Sequence, residues 1–287
     1  MPNFPIVDSH VHLYDPSWLR YSWLEQVPKI NRRYDLADLD ACRGPVAIER
    51  IVFAEVAVDR GLHLAEAAWV QSLADGDARL AGMIAHAPLE KGAAVAADLD
   101  HLARYRSLRG IRRLIETETD QSFCLTPDFL AGLRLLAGRG LTFDICVKHW
   151  GLVFALELAR RCPDVQFVLD HIGKPGIRHG LVEPWKSQIA ELAKLPNVVC
   201  KLSGVVTEAD HAHWRPEQLR PYVEHVLSCF GFARVMYGSD WTVAELTHAY
   251  PDWVAILDGF TAGCSESELR ALYRDTAIRT YRLDRDG

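Results

Sequence analysis

The stretch Pro5-Ile-Val-Asp-Ser-His-Val-His12 is an apolar run that ends in two histidines. Its apolar residues do not alternate strictly with polar ones, which is typical of a strand buried on both faces in a parallel sheet. Further runs of this kind follow along the chain, at Arg50–Val56, Leu80–Ala85, Leu108–Arg112, Leu141–Val147, Val165–Asp170, Asn197–Leu202 and Arg234–Tyr237. Together they predict a sheet of eight strands.

Amphipathic segments separate these runs and predict helices. The clearest begins at Thr126-Pro-Asp-Phe129, which offers an N-terminal cap and a proline at the first helical position, and it ends before Gly140. The others are Leu62–Ala74, Gly92–Tyr105, Gly151–Arg161, Glu183–Leu195, Pro216–Phe230 and one or two helices within Ser265–Tyr281.

Strands that alternate with helices in this way predict an α/β protein, a (β/α)8 TIM barrel. We expect a single domain over residues 1–287, with an extra C-terminal helix and a long loop at Tyr14–Arg43 after the first strand. A doubly wound open sheet is the alternative. Neither a GxGxxG pattern nor a phosphate-binding loop follows any predicted strand, which removes the usual support for a nucleotide-binding version.

Composition excludes several classes of function. The 287 residues carry a formal net charge of -6 and are 49% apolar, which is ordinary for a soluble globular protein. No long Lys/Arg run suggests a nucleic-acid partner, and no stretch approaches the ~18–20 apolar residues that span a bilayer. The seven cysteines are scattered, which predicts buried thiols in a reducing compartment. No basic region followed by an apolar stretch precedes the first run, so we expect a cytoplasmic protein.

Polar side chains gather at the ends of three predicted strands. His10 and His12 lie two apart and so share one face of the first strand. His171 ends the sixth run and Asp240 follows the eighth. The C-terminal ends of barrel strands meet on one face, where burying four polar groups unpaired would cost several kcal/mol, of the order of ~2–7 each. We therefore expect the four residues to share one pocket. Asp170, next to His171 and on the opposite strand face, is expected to act behind the pocket.

Three motifs carry a resemblance to a known family. The patterns Asp8-x-His10-x-His12, Asp170-His171-x-Gly-Lys174-Pro and Tyr-Gly-Ser-Asp240-Trp resemble the signatures of the amidohydrolase-related branch of the amidohydrolase superfamily. Within that branch they look most like the sugar lactonases, which include L-fuconolactonase and L-rhamnonolactonase. The resemblance implies a hydrolase that opens a sugar lactone, a small-molecule substrate, to the aldonic acid. Asp240 would then transfer protons, and the surrounding histidines would keep its pKa in a range useful for a base. The histidines would also hold the carbonyl oxygen and the water.

Two departures from the superfamily pattern bear on metal binding. Binuclear members carry a carboxylated lysine at the end of the fourth strand, where this chain has Arg112-Arg113, and a guanidinium cannot take that role. A histidine expected at the end of the fifth strand is displaced to His149. The resemblance therefore implies at most one divalent ion, zinc, which activity does not strictly require. Its expected ligands are His10, His12, His171 and Asp240.

The resemblance also suggests residues that bind the substrate. The expected set comprises basic residues at strand ends four to six and aromatic faces for a sugar ring, namely Arg112, Lys148, His149, Lys174, Trp23 and Trp241. On strand phase, Arg112 rather than Arg113 should face the pocket. The alternatives are a metal-dependent decarboxylase of the same branch, a dicarboxy-pyrone lactonase, or a barrel that binds a ligand without turnover.

Overall fold

The computed structural model describes residues 2–284 and forms a (β/α)8 barrel. Eight strands lie in one parallel sheet in chain order: β1 Ile6–Val11, β2 Ile48–Ala54, β3 Leu80–His86, β4 Leu108–Arg112, β5 Thr142–Ile145, β6 Phe167–Leu169, β7 Val198–Leu202 and β8 Val235–Tyr237. Backbone contacts just beyond β8 close the ring, because the Asp240 N–H donates to the His10 carbonyl at 3.0 Å and the His12 N–H to the Trp241 carbonyl at 2.6 Å. All eight predicted strands are confirmed.

Helices surround the barrel. They are α1 Leu36–Cys42, α2 His63–Gly76, α3 Ala96–Leu102, α4 Pro127–Arg139, α5 Leu152–Arg161, α6 Trp185–Ala193, α7 Pro216–Phe230, α8 Tyr250–Phe260, α9 Glu266–Arg270 and α10 Thr276–Tyr281. The start of α4 is as predicted: the Thr126 hydroxyl accepts from the Phe129 N–H, and Pro127 occupies the first turn. Gly140 ends this helix at a φ of 65°, a backbone conformation that glycine adopts without steric cost.

Two helices were not predicted. The long loop expected at Tyr14–Arg43 contains α1, whose start is a capping box in which Asp35 and Asp38 bond each other's backbone N–H groups. The seven residues of α1 are too few to show an apolar period. The other unpredicted helix is α8, which buries Trp253, Val254 and Leu257 against the barrel.

The inside of the barrel is divided into two layers. The lower layer is apolar and is built from Val7, Val52, Ile84, Val168, Val199 and Met236. Ile278 and Tyr281 of α10 and the following Leu283 pack onto this layer and plug the bottom of the barrel. Charged side chains form the next layer: Lys201 lies two residues after Val199 on β7, and Arg112 is the last residue of β4. This upper layer supports the candidate site.

Candidate active site

The first strand delivers two histidines to the mouth of the barrel. A buried carboxylate anchors its end, since Asp8 accepts from the Ser239 N–H at 2.9 Å and from the Tyr250 hydroxyl at 2.8 Å. His12 Nδ1 lies 2.9 Å from the Ala54 carbonyl oxygen. A carbonyl oxygen only accepts, so in the neutral ring the proton is on Nδ1 and the lone pair is on Nε2.

Asp240 is the point on which the predicted residues converge. Its Oδ1 atom lies 3.4 Å from His12 Nε2, 3.8 Å from His10 Nε2 and 3.9 Å from His171 Nε2. All four side chains are buried, with residue exposures of 5% or less. The structure thus brings together the four residues that the sequence placed in one pocket.

Unusual backbone conformations hold two of these side chains in place. Asp240 has a φ of 58° and His171 a φ of 52°, in a region that residues with a side chain rarely adopt. Gly204 packs directly against both, and a Cβ there would lie 2.6 Å from His171 Nδ1 and 2.8 Å from Asp240 Oδ2. Only glycine fits at this position without displacing the site.

A buried ion cluster lies behind His10. Lys201 Nζ contacts Asp144 Oδ2 at 2.6 Å and Asp170 Oδ1 at 3.1 Å. Arg112 contacts the other Asp170 oxygen at 3.1 Å and Glu55 Oε1 at 2.8 Å. We refer to Glu55, Arg112, Asp144, Asp170 and Lys201 as the interior ion cluster.

Both ring nitrogens of His10 touch this cluster. Nδ1 lies 3.2 Å from Lys201 Nζ and 3.4 Å from Asp170 Oδ1, whereas Nε2 lies 3.2 Å from Arg112 Nη1. The cluster therefore fixes the orientation of the ring, and Asp170 lies behind the pocket as expected.

Sequence reasoning missed Glu55, Asp144 and Lys201. Each is fully buried next to apolar neighbours. The signal for Lys201 is a lone lysine inside the apolar strand β7, two residues after the inward-facing Val199. A buried charge needs a partner of opposite charge. The partner of Lys201 could have been sought among acidic residues that also point into the barrel from nearby strands, such as Asp144 on β5.

Burial and neighbouring charges set the protonation states. Burial lowers the pKa of His171 to about 4, so the ring is neutral at neutral pH. Burial disfavours the charge of Asp240, but the nearby imidazoles of His171, His10 and His12 outweigh it and hold its pKa below the usual range. Asp240 is therefore a carboxylate with low proton affinity. This corrects the expectation that the histidines keep its pKa useful for a base.

Two predicted substrate-binding residues are corrected by their surroundings. Arg112 does point into the barrel rather than Arg113, but it is 3% exposed and its guanidinium is bound to Glu55 and Asp170. Trp241 is 1% exposed, and its Nε1–H donates to Glu245 at 2.8 Å. Neither offers a free surface to a ligand, because packing and ion pairing occupy both side chains.

The other predicted contacts lie around the mouth. Lys174 Nζ pairs with Glu116 at 2.7 Å, and Lys148 Nζ lies 3.7 Å from Glu208. His149 begins a short turn just after β5, where its Nδ1 lies 3.2 Å from the Lys174 carbonyl oxygen. On the opposite side, the half-buried Trp23 donates its Nε1–H to the Val56 carbonyl at 2.8 Å.

Two overlapping groups of side chains could hold a metal ion. Ligand atoms of His10, His12 and Asp240 lie within 4.8 Å of one another, as do those of His10, Asp170 and His171. The four predicted ligands do not form one such group among residues 2–284. The first group suits zinc: the lone pair of His12 Nε2 faces the Asp240 carboxylate at 3.4 Å, and two acceptors so placed need a cation or a proton between them. Tetrahedral zinc separates its ligands by a similar ~3.4 Å.

The sequence comparison identifies the family. Residues 7–283 match the amidohydrolase family, and the chain belongs to it. It is 31% identical to an L-fucono-1,5-lactonase of Burkholderia ambifaria, over 97% of this chain and 96% of that protein. An L-fucono-1,5-lactonase of Burkholderia multivorans is 30% identical, over 96% of each chain.

Solved structures agree with this assignment. A crystal structure of an amidohydrolase from Burkholderia multivorans with bound Zn superposes with a TM-score of 0.86 at 29% identity, and covers 98% of this chain and all of that one. In residues 2–284, no helix has the length and apolar character needed to cross a membrane.

Proposed function

We propose that the protein hydrolyses a sugar lactone, an aldono-lactone such as L-fucono-1,5-lactone, to the aldonic acid. The observation that carries the proposal is the convergence of three imidazole Nε2 atoms on one Asp240 oxygen at the barrel mouth. The two lactonases that share 30–31% identity over nearly the full chain support this choice of substrate.

Lactone opening requires water to lose a proton and the ring oxygen to gain one. Asp240 is the proposed acceptor for the first transfer, because its carboxylate is ionised and stands at the centre of the site, although its low pKa makes it a weak base. Its low proton affinity favours the return of that proton to the ring oxygen as the carbonyl–oxygen bond breaks. His171, neutral and fixed by Ser203 at 2.9 Å, is the residue placed to orient the water beside Asp240.

We infer that the site holds no more than one metal ion. His12 and Asp240 would bind it together with His10, whose Nε2 would exchange its contact with Arg112 for the ion, and zinc bound there would polarise the carbonyl and lower the pKa of water. A second ion would need Asp170 or Asp144, and both are already paired, Asp144 with Lys201 and Asp170 with Lys201 and Arg112.

The charged residues at the mouth favour a neutral substrate over a dicarboxylate. Lys174 is paired with Glu116, Arg112 is held inside the barrel, and Lys148 lies near Glu208. A dicarboxylic acid would have to displace these carboxylates. The decarboxylase and dicarboxy-pyrone alternatives are therefore disfavoured.

A pH-indicator screen of aldono-lactones tests the function. We expect turnover of at least one 1,5-lactone, with part of it surviving chelator treatment. Elemental analysis before and after dialysis should give zero or one zinc per chain. Two equivalents of metal would contradict the site proposed here, and complete loss of activity restored by zinc would make the ion essential.

Asp240→Asn tests the proton acceptor. We expect kcat to fall by ~10²–10⁴-fold, the usual contribution of a positioned acid–base group, while circular dichroism remains unchanged. Asp210→Asn, which alters an exposed loop carboxylate, is the matched control and should keep wild-type kcat. Near-normal kcat in a folded Asp240→Asn protein would assign the base elsewhere.

A further inference from the structure

A cavity of about 650 Å³ lies beside the candidate site, above the C-terminal ends of β2, β3 and β4. Glu55 links the two: it lines the cavity, and its carboxylate holds Arg112, whose Nη1 lies 3.2 Å from His10 Nε2. On the same strand, the Ala54 carbonyl fixes His12. A ligand in the cavity would therefore contact Glu55, which is joined to His10 through Arg112.

His86, the last residue of β3, faces this cavity. It is the register partner of Arg112 on β4, and such partners point to the same side of a sheet. Because Arg112 points into the barrel, His86 points to the barrel mouth. Ile84, two residues earlier, belongs to the apolar layer inside the barrel, in agreement with this phase.

The His86 ring is available for hydrogen bonding. Within residues 2–284 it packs edge-on against His63 at 5.5 Å between ring centroids, and neither of its nitrogens has a hydrogen-bond partner. Burial lowers its pKa, so the ring is neutral and offers one donor and one acceptor. By contrast, His63 is already bonded to Asp98 at 3.0 Å.

The charges around the cavity are balanced. Four acidic and three basic side chains line it, for a formal charge of -1. Two of the three basic side chains are paired, because Arg113 is held by Glu90 at 3.1 Å and Glu118 at 2.6 Å, and Lys91 pairs with Asp98 at 3.0 Å. The cavity therefore suits a neutral ligand rich in hydroxyl groups rather than an anion.

We propose that this cavity binds the hydroxyl-bearing part of the substrate and that His86 is a specificity-determining residue, hydrogen-bonded to a substrate hydroxyl. The proposal rests on the proposed lactone hydrolysis. A hydroxyl group is both donor and acceptor and so matches a neutral imidazole, whereas a lactone without hydroxyl groups would not use His86.

Kinetics on two lactones of the same ring size test the proposal. L-fucono-1,5-lactone carries hydroxyl groups and δ-valerolactone carries none. For His86→Leu we expect KM for L-fucono-1,5-lactone to rise roughly 3- to 10-fold, the loss of one hydrogen bond, with kcat nearly unchanged. For δ-valerolactone, both kcat and KM of His86→Leu should stay within about twofold of wild type. His86→Gln, which restores a donor and an acceptor, should recover most of the KM. An equal loss on both lactones, or an unchanged KM for L-fucono-1,5-lactone, would overturn the proposal.

Direct binding separates failure of this proposal from failure of the function. L-fucitol, a neutral open-chain polyol, is titrated into wild type, His86→Leu and His86→Gln by calorimetry. We expect binding to weaken about 3- to 10-fold in His86→Leu and to recover in His86→Gln. If wild type hydrolyses neither lactone, the proposed function fails and this titration alone decides on the cavity. No binding to wild type, or equal binding to all three proteins, would refute the cavity site.

Discussion

Two of the protein's ion networks have similar geometry but lie in opposite environments. In the interior ion cluster, Lys201 lies 2.6 Å from Asp144, and both side chains are fully buried. On the surface, Arg79 lies 2.7 Å from both Asp40 and Asp77, with side chains 26–38% exposed. The distances are alike, but an exposed pair contributes ~0–1 kcal/mol, whereas removing one partner of a buried pair costs ~3–5 kcal/mol. Burial, and not distance, decides what each network contributes.

The interior ion cluster also serves the site, which the surface network does not. Arg112 of β4, Asp170 just after β6 and Lys201 of β7 contact the His10 ring, whereas an apolar layer would offer its nitrogens no polar partner. A buried ion pair stabilises a fold little compared with apolar packing of the same volume. The position of the interior ion cluster directly below the candidate site therefore indicates a role in positioning His10.

The largest effect is expected for Lys201→Met, which leaves Asp144 buried without a cation and leaves Asp170 with Arg112 alone. We expect a loss of ~3–5 kcal/mol in the free energy of unfolding, measured by urea denaturation at pH 7. The control is the double variant Lys201→Met/Asp144→Asn, which removes the unpaired charge and should recover part of the loss. If the single variant lost less than about 1 kcal/mol, the contrast with the surface network would be wrong.

A smaller effect is expected at the lower edge of the cluster. The Tyr281 hydroxyl of α10 donates to Asp144 at 2.7 Å and so joins the plug of the barrel to the charged layer. Tyr281→Phe keeps the apolar contacts but removes this bond to a charged group, and should cost ~1.5–3 kcal/mol. Tyr105→Phe is the matched control, since its hydroxyl lies at the longer distance of 3.4 Å from the partly buried His101 on α3. Equal stability of the two variants would show that Asp144 is satisfied by Lys201 alone.

The same contrast explains which features the sequence could predict. The strands are visible because both of their faces are buried, and His10, His12, His171 and Asp240 are visible because polar residues follow apolar runs. The interior ion cluster was missed because its partners lie on different strands, so that Lys201 and Asp144 are 57 residues apart. The assignment of Arg112 to the substrate was wrong for the same reason. The sequence indicated that its side chain points into the barrel, but it did not indicate that Glu55 and Asp170 bind it there.

The smallest effect is expected in the surface network. The Arg79 guanidinium lowers the pKa of Asp40 to about 2, below the value of ~3.9 for an unfolded chain. A carboxyl group whose pKa is lower in the folded state stabilises the protein above the unfolded pKa, and this contribution is lost as the pH falls from about 4 to about 2. Solvent screens a side chain that is 38% exposed, so we expect Asp40→Asn to cost less than ~1 kcal/mol at pH 7. The difference from wild type, measured by urea denaturation between pH 7 and pH 2.5, should shrink toward zero at the acid end and be reduced by salt. A loss above ~2 kcal/mol at pH 7, or a difference that grows on acidification, would mean that exposed and buried ion pairs of this protein do not differ as the structure indicates.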